Sequence, residues 1–170
     1  MTKTASMKKA QLNLSFGMIF SIILIVIFLA FAFFAVKKFL NVGDSVLIGK
    51  FKDDLQRNVD AMWRGQYGSK EGSYSLPKGI TEVCFADYNP EAIKPCGGNR
   101  CNELKQNWFG NENMFFYPIG AAQTLESTEI KHIDIDAITS SSNPYCVKIS
   151  NGKVKLTIKK EVGENFPTII

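Results

Sequence analysis

From Phe16 to Val36 the chain runs through 21 residues without a charge, and only Gly17 and Ser21 interrupt the apolar side chains. At about 1.5 Å per residue, a helix of that length reaches roughly 30 Å, the thickness of a bilayer's hydrocarbon core. A secretory signal has a shorter apolar region, about 7–15 residues, that ends at a small-residue cleavage site. Here the run is longer and closes on Val36-Lys37-Lys38-Phe39. A buried helix of a soluble core is seldom so long and so pure. The sequence therefore predicts a transmembrane helix over residues 11–38, preceded by a basic stretch over residues 1–10.

The net charge of +4 divides unevenly along the chain. Residues 1–38 carry Lys3, Lys8, Lys9, Lys37 and Lys38 with no acid, whereas the remainder holds 15 basic against 16 acidic residues. The part beyond the span has no basic excess to attract phosphate backbones, so nucleic acid is not an expected partner. Three lysines before the span and two after it lean towards a cytoplasmic N-terminus. Cys84, Cys96, Cys101 and Cys146 all follow the span, as disulfides in an oxidising compartment would. The expected location is the cell membrane, single-pass, with an extracytoplasmic C-terminal domain.

The four cysteines lack the paired C-x2-C spacing of a strong zinc motif. Disulfides are favoured over a structural zinc or free thiols, and three connectivities are open. Cys96 and Cys101, both in the flexible stretch PCGGNRC, are able to close a short ring; Cys84 and Cys146, each in a strand-like segment, would then pair across the fold.

Past Lys38 the sequence turns amphipathic. Leu47, Phe51, Leu55, Val59 and Met62 form one helical face, with Lys52, Asp53, Asp54, Arg57 and Asp60 largely on the others. This face is expected to seat the following domain. Gly65 and Gly68 supply the stop, which defines a helical extension over residues 39–66. Gly43 and Gly49 each cost roughly 1 kcal/mol of helix propensity relative to Ala and mark possible kinks. A continuous helix from about Leu14 to about Arg64 would be about 75 Å long.

Residues 67–170 read as short strands and loops. Tyr145, Val147 and Ile149 alternate with polar residues, Asn151-Gly152 turns the chain, and Val154, Leu156 and Ile158 resume the alternation. Asn-Gly between alternating runs predicts a hairpin with a type I′ turn. Its polar face would carry Lys148, Lys153, Lys155 and Lys159 into water. Ile80 to Ala86, Asn113 to Tyr117 and Glu129 to Ile135 are further strand candidates, while KEGSYSLPKG, YNPEAIKPCGGNRC and ITSSSNP read as turns and loops. The predicted fold class is α+β, a long N-terminal helix packed on a small antiparallel sheet.

Chemistry is sparse. His132, Asp134 and Asp136 would share the solvated face of a strand, alternating with Ile133 and Ile135. No cysteine has an evident basic partner, and Gly97-Gly98 lies in no phosphate-loop motif. Trp108, Phe109, Phe115, Phe116 and Tyr117 are expected in the core rather than in a binding patch. Gly17 and Ser21 are spaced to permit close helix contact in lipid. No catalytic residue, metal or cofactor is expected.

The stretch Lys8-Lys9-Ala10-Gln11 followed by Leu12-Asn13-Leu14-Ser15-Phe16 resembles the leader and first mature residues of type IV pilin-like proteins, most closely the archaeal kind with a class III signal peptide. The resemblance covers Lys8 to about Val36. It implies that a prepilin-type peptidase cuts between Ala10 and Gln11, and that the helix serves first as an anchor in the lipid bilayer and then packs against like or related subunits. Ser15 departs from the pattern, which often has an acid at that position. The resemblance implies a structural or adhesion subunit of a cell-surface filament, such as a minor pilin, and not an enzyme. The alternative is an uncleaved single-pass protein whose outer domain binds an envelope partner or ligand.

Overall fold

The computed structural model describes residues 16–170. It is an α+β protein with the element order α1 (Phe16–Arg64), β1 (Gly68–Ser75), β2 (Glu82–Phe85), α2 (Gly98–Lys105), β3 (Met114–Tyr117), β4 (Ser127–Thr128), α3 (Ile135–Thr139), β5 (Tyr145–Lys148), β6 (Lys153–Lys160) and β7 (Thr168–Ile169). The chain divides into two compact units, Met1–Leu40 and Asn41–Ile170, and the boundary falls inside α1. The amphipathic part of α1 thus belongs to the same unit as the strands. Helical structure continues through Gly43 and Gly49 and ends before Gly65, whose N–H bonds the Met62 carbonyl at 3.1 Å.

In the second unit two antiparallel sheets share a core with α1. One has the strand order β1-β6-β7 and the other β4-β3-β2-β5. Phe51 sits between them, with its ring edge-on to Tyr74 of β1 at 5.3 Å and to Phe116 of β3 at 5.7 Å. Leu55 and Val59 are fully buried along the same face, and Met62 packs against it. Leu47 is a correction: it is 38% exposed, and Ile48, at 1%, takes the buried place. Steps of four residues drift by about 40° per step around a helix. Walking back four residues from Phe51 therefore leaves the stripe, whereas walking back three stays on it.

The predicted hairpin is half right. Asn151 and Gly152 adopt φ 53° and 70°, and Ser150 and Lys153 exchange backbone hydrogen bonds of 2.9 and 3.0 Å across the turn. The strands it joins then part: β5 pairs with β2, and β6 pairs with β1 and β7. Residues 70–75, read as a loop, form most of β1. Gly68, Lys70, Gly72 and Tyr74 share one face of that strand, opposite Lys160, Ile158, Leu156 and Val154 of β6, and only Tyr74 is buried, so it lacks the apolar alternation that marks a half-buried strand. The strand expected over Glu129 to Ile135 is absent; β4 ends at Thr128, and α3 begins at Ile135 with Asp134 as its N-cap. The end of PCGGNRC is also helical, as the first turn of α2.

Candidate functional surfaces

The first candidate surface is the apolar half of α1. It is long and apolar enough to cross a membrane, and no residue of its most apolar stretch is buried. Phe20, Ile23, Val26, Leu29 and Phe33 are exposed, as are Phe28, Phe31 and Phe34 between them. A helix that is hydrophobic all round has no polar side to turn to water and must be covered by lipid or by other protein. The Ser21 hydroxyl donates to the Gly17 carbonyl at 2.8 Å. That bond satisfies the hydroxyl inside the helix, as an apolar environment demands. Lys8, Lys9, Ala10 and Gln11 lie outside the described residues.

The second surface is a clasp on the far end of α1. Gln56 holds the backbone of Lys131 from both sides, accepting from its N–H at 2.9 Å and donating to its carbonyl at 3.1 Å. One turn on, Asp60 Oδ1 accepts from Gln56 Nε2 at 2.8 Å and lies 3.0 Å from His132 Nδ1. The hydrogen bond from His132 lowers the Asp60 carboxyl below its ordinary range, against the smaller effect of burial. An ionised acceptor there requires the imidazole proton on Nδ1. The ring stacks on Trp63 with centroids 3.8 Å apart and planes at 6°. His132 is thus not on a solvated strand face; its φ of 61° turns it onto the helix. Asp134 and Asp136 do not join it, because Asp134 caps α3 and Asp136 accepts from the Ile93 N–H.

A buried carboxylate, Glu126, lies deeper, with the half-buried Lys52 near it. Glu126 accepts from the Ala122 N–H at 2.9 Å through Oε1, and its Oε2 has no partner. Burial raises its pKa, opposed by backbone donors and by the charge of Lys52. Burial likewise lowers Lys52, whose Nζ donates to the Ser127 carbonyl at 2.9 Å and lies 5.6 Å above the Phe116 ring. These residues lock β4 to α1, and nothing in their geometry offers a substrate site.

The cysteines form two disulfides, Cys84–Cys146 and Cys96–Cys101. The first joins directly opposed residues of β2 and β5, and the second closes over the start of α2. Glu82 lies near the Cys84 and Cys146 sulfurs, but a disulfide has no thiolate to offer a metal. Cys84 belongs to a second small core with Ala86, Leu104 and Phe115, against which Cys96 and Tyr88 pack. Burial pushes the Tyr88 phenol there up to about 12, and its hydroxyl donates to the Cys101 carbonyl at 2.9 Å. Among the aromatics, Phe115 and Phe116 are buried and Trp108 packs beside Tyr88, but Phe109 is 80% exposed. No family model, curated protein or solved structure matches the chain.

Proposed function

We propose that this chain is a pilin-like structural or adhesion subunit of a cell-surface filament, held in the membrane by α1 before assembly and displaying its second unit outside. The observation that carries the reading is the uncovered apolar segment of α1, which needs lipid or packed helices around it. Two further features support it. The disulfides suit an oxidising exterior, and the residues from Lys8 to Ser15 resemble a prepilin leader and mature N-terminus. A structural role also suits a domain whose polar clusters serve to tie its elements together.

Ser15, where a filament subunit often has an acid, favours a second reading: a permanent single-pass anchor whose outer unit binds an envelope partner. Intact mass and N-terminal sequencing of protein from its own host's membranes separate the two. A filament subunit is expected to begin at Gln11 and to be recovered in sheared surface filaments. A chain beginning at Met1 or Thr2 and confined to the membrane would instead establish the permanent anchor.

A further inference from the structure

Because β5 and β6 leave the Asn151-Gly152 turn for different sheets, a cleft of about 570 Å³ opens beside the turn. Lys148, Lys153 and Lys155 line it together with Ser73, Ser150 and Asn151. Val147 is its one apolar lining residue, and no carboxylate reaches it among the described residues. The three lysines are exposed. Lys155 has Glu71 at 3.5 Å, but both side chains are largely in water, where such a pair is worth little. Glu82, across the strands from Lys148, is already paired with Arg100. The neighbouring lysines of the same strands are engaged elsewhere, Lys70 on Asn58 and Lys159 on Glu161. A recess that gathers three lysines against one exposed carboxylate focuses a positive potential on whatever enters it.

We propose that this cleft binds an acidic oligosaccharide, with carboxylate or sulfate groups on the lysines and sugar hydroxyls on Ser73, Ser150 and Asn151. The volume suits a ligand of a few sugar rings. No aromatic ring lines the cleft, so bases have no stacking platform. With 15 basic against 16 acidic residues beyond residue 38, a long phosphate backbone meets no extended positive field. A concave recess also fits a flat bilayer poorly. Charge is therefore the selecting feature, and neutral sugars are excluded.

The test is calorimetric titration of the full chain in non-ionic detergent with tetragalacturonate, a chondroitin sulfate tetrasaccharide, maltotetraose and an oligothymidylate. Binding of an acidic tetrasaccharide is expected, with none of maltotetraose. Lys148→Gln combined with Lys153→Gln should weaken it about tenfold or more, and Lys155→Gln alone by less. Lys105→Gln, which removes the same charge from exposed α2, should leave it within about twofold. Absence of binding, equal binding of maltotetraose or of oligothymidylate, or indifference to the lysine substitutions would overturn the site. Its role in adhesion rests on the surface display proposed above, but the titration does not. A failed titration removes the site and leaves display standing; a second unit closed to protease on intact cells removes display and leaves the site.

Discussion

Lys160, buried at the end of β6, donates from Nζ to the carbonyl of Trp63 at 2.8 Å and to that of Gly65 at 3.0 Å. The last carbonyls of a helix have no partners within it, and a cation there also complements the negative end of the helix dipole. A residue nearly 100 positions downstream thus caps α1 and fixes where β6 meets it. Lys160→Met, which keeps the length of the side chain and removes its donors, should cost about 1–3 kcal/mol by leaving the carbonyls unsatisfied. Urea denaturation of the detergent-solubilised chain, followed by the fluorescence of Trp63 in a Trp108→Phe background, reads this directly. A wild-type midpoint would mean that water replaces the cap at no cost.

Gly72 leaves room for Tyr74. A Cβ at position 72 would stand 2.3 Å from the Tyr74 Oη and 2.5 Å from Cζ, closer than any non-bonded pair tolerates. The phenol lies back along its own strand to meet Phe51 and to accept from Asn58 Nδ2 at 2.8 Å. Gly72→Ala should therefore expel the ring and destabilise by about 1–3 kcal/mol. On a Tyr74→Ala background the same change should cost much less, and this coupling identifies the ring as the cause. Equal costs in both backgrounds would place the strain elsewhere.

These contacts also explain what the sequence discloses and what it hides. The membrane-length run and the amphipathic stripe are local patterns, legible because Phe51, Leu55 and Val59 recur at helical spacing. Among three open connectivities, one short flexible loop and two strand-like segments pointed to the cysteine pairing that the structure has. β1 was hidden because the face that carries Tyr74 is otherwise Gly68, Lys70 and Gly72: Met62 of α1 fills the space at Gly68, the Tyr74 ring fills that at Gly72, and Lys70 reaches out to Asn58. The Asn151-Gly152 turn was visible, but the partners of its two strands depend on contacts with β1 and β2, which lie far back in the chain. His132 looked solvated because nothing local reveals a partner 72 positions earlier.

The two disulfides should differ in weight. Cys84–Cys146 closes a separation of 62 residues and Cys96–Cys101 one of 5. On the chain-entropy model these loops correspond to about 4 and about 2 kcal/mol of restriction on the unfolded chain. Removing Cys84 also disturbs a fully buried site. Thermal unfolding of Cys84→Ala/Cys146→Ala should consequently show a much larger fall in midpoint than Cys96→Ala/Cys101→Ala. Equal falls would mean that local packing around α2, rather than loop closure, sets the contribution.

Asp60 and Glu126 should bend the pH profile of stability in opposite senses. The Asp60 carboxyl is held low by His132, so its contribution is present above its unfolded value of 3.8 and is lost as pH falls through the lower folded value. Glu126 is held high by burial, so its contribution is fully present below 4.5 and is lost as pH rises through the higher folded value. Urea midpoints measured from about pH 3 to pH 7 should lose part of their acid fall in Asp60→Asn and part of their decline above 4.5 in Glu126→Gln. In each case the diagnostic quantity is the change in slope, since an amide also alters local hydrogen bonding at every pH. The orphaned Oε2 of Glu126 makes its case the sharper one. A Glu126→Gln profile parallel to wild type above 4.5 would show that Lys52 and the backbone donors offset the desolvation completely.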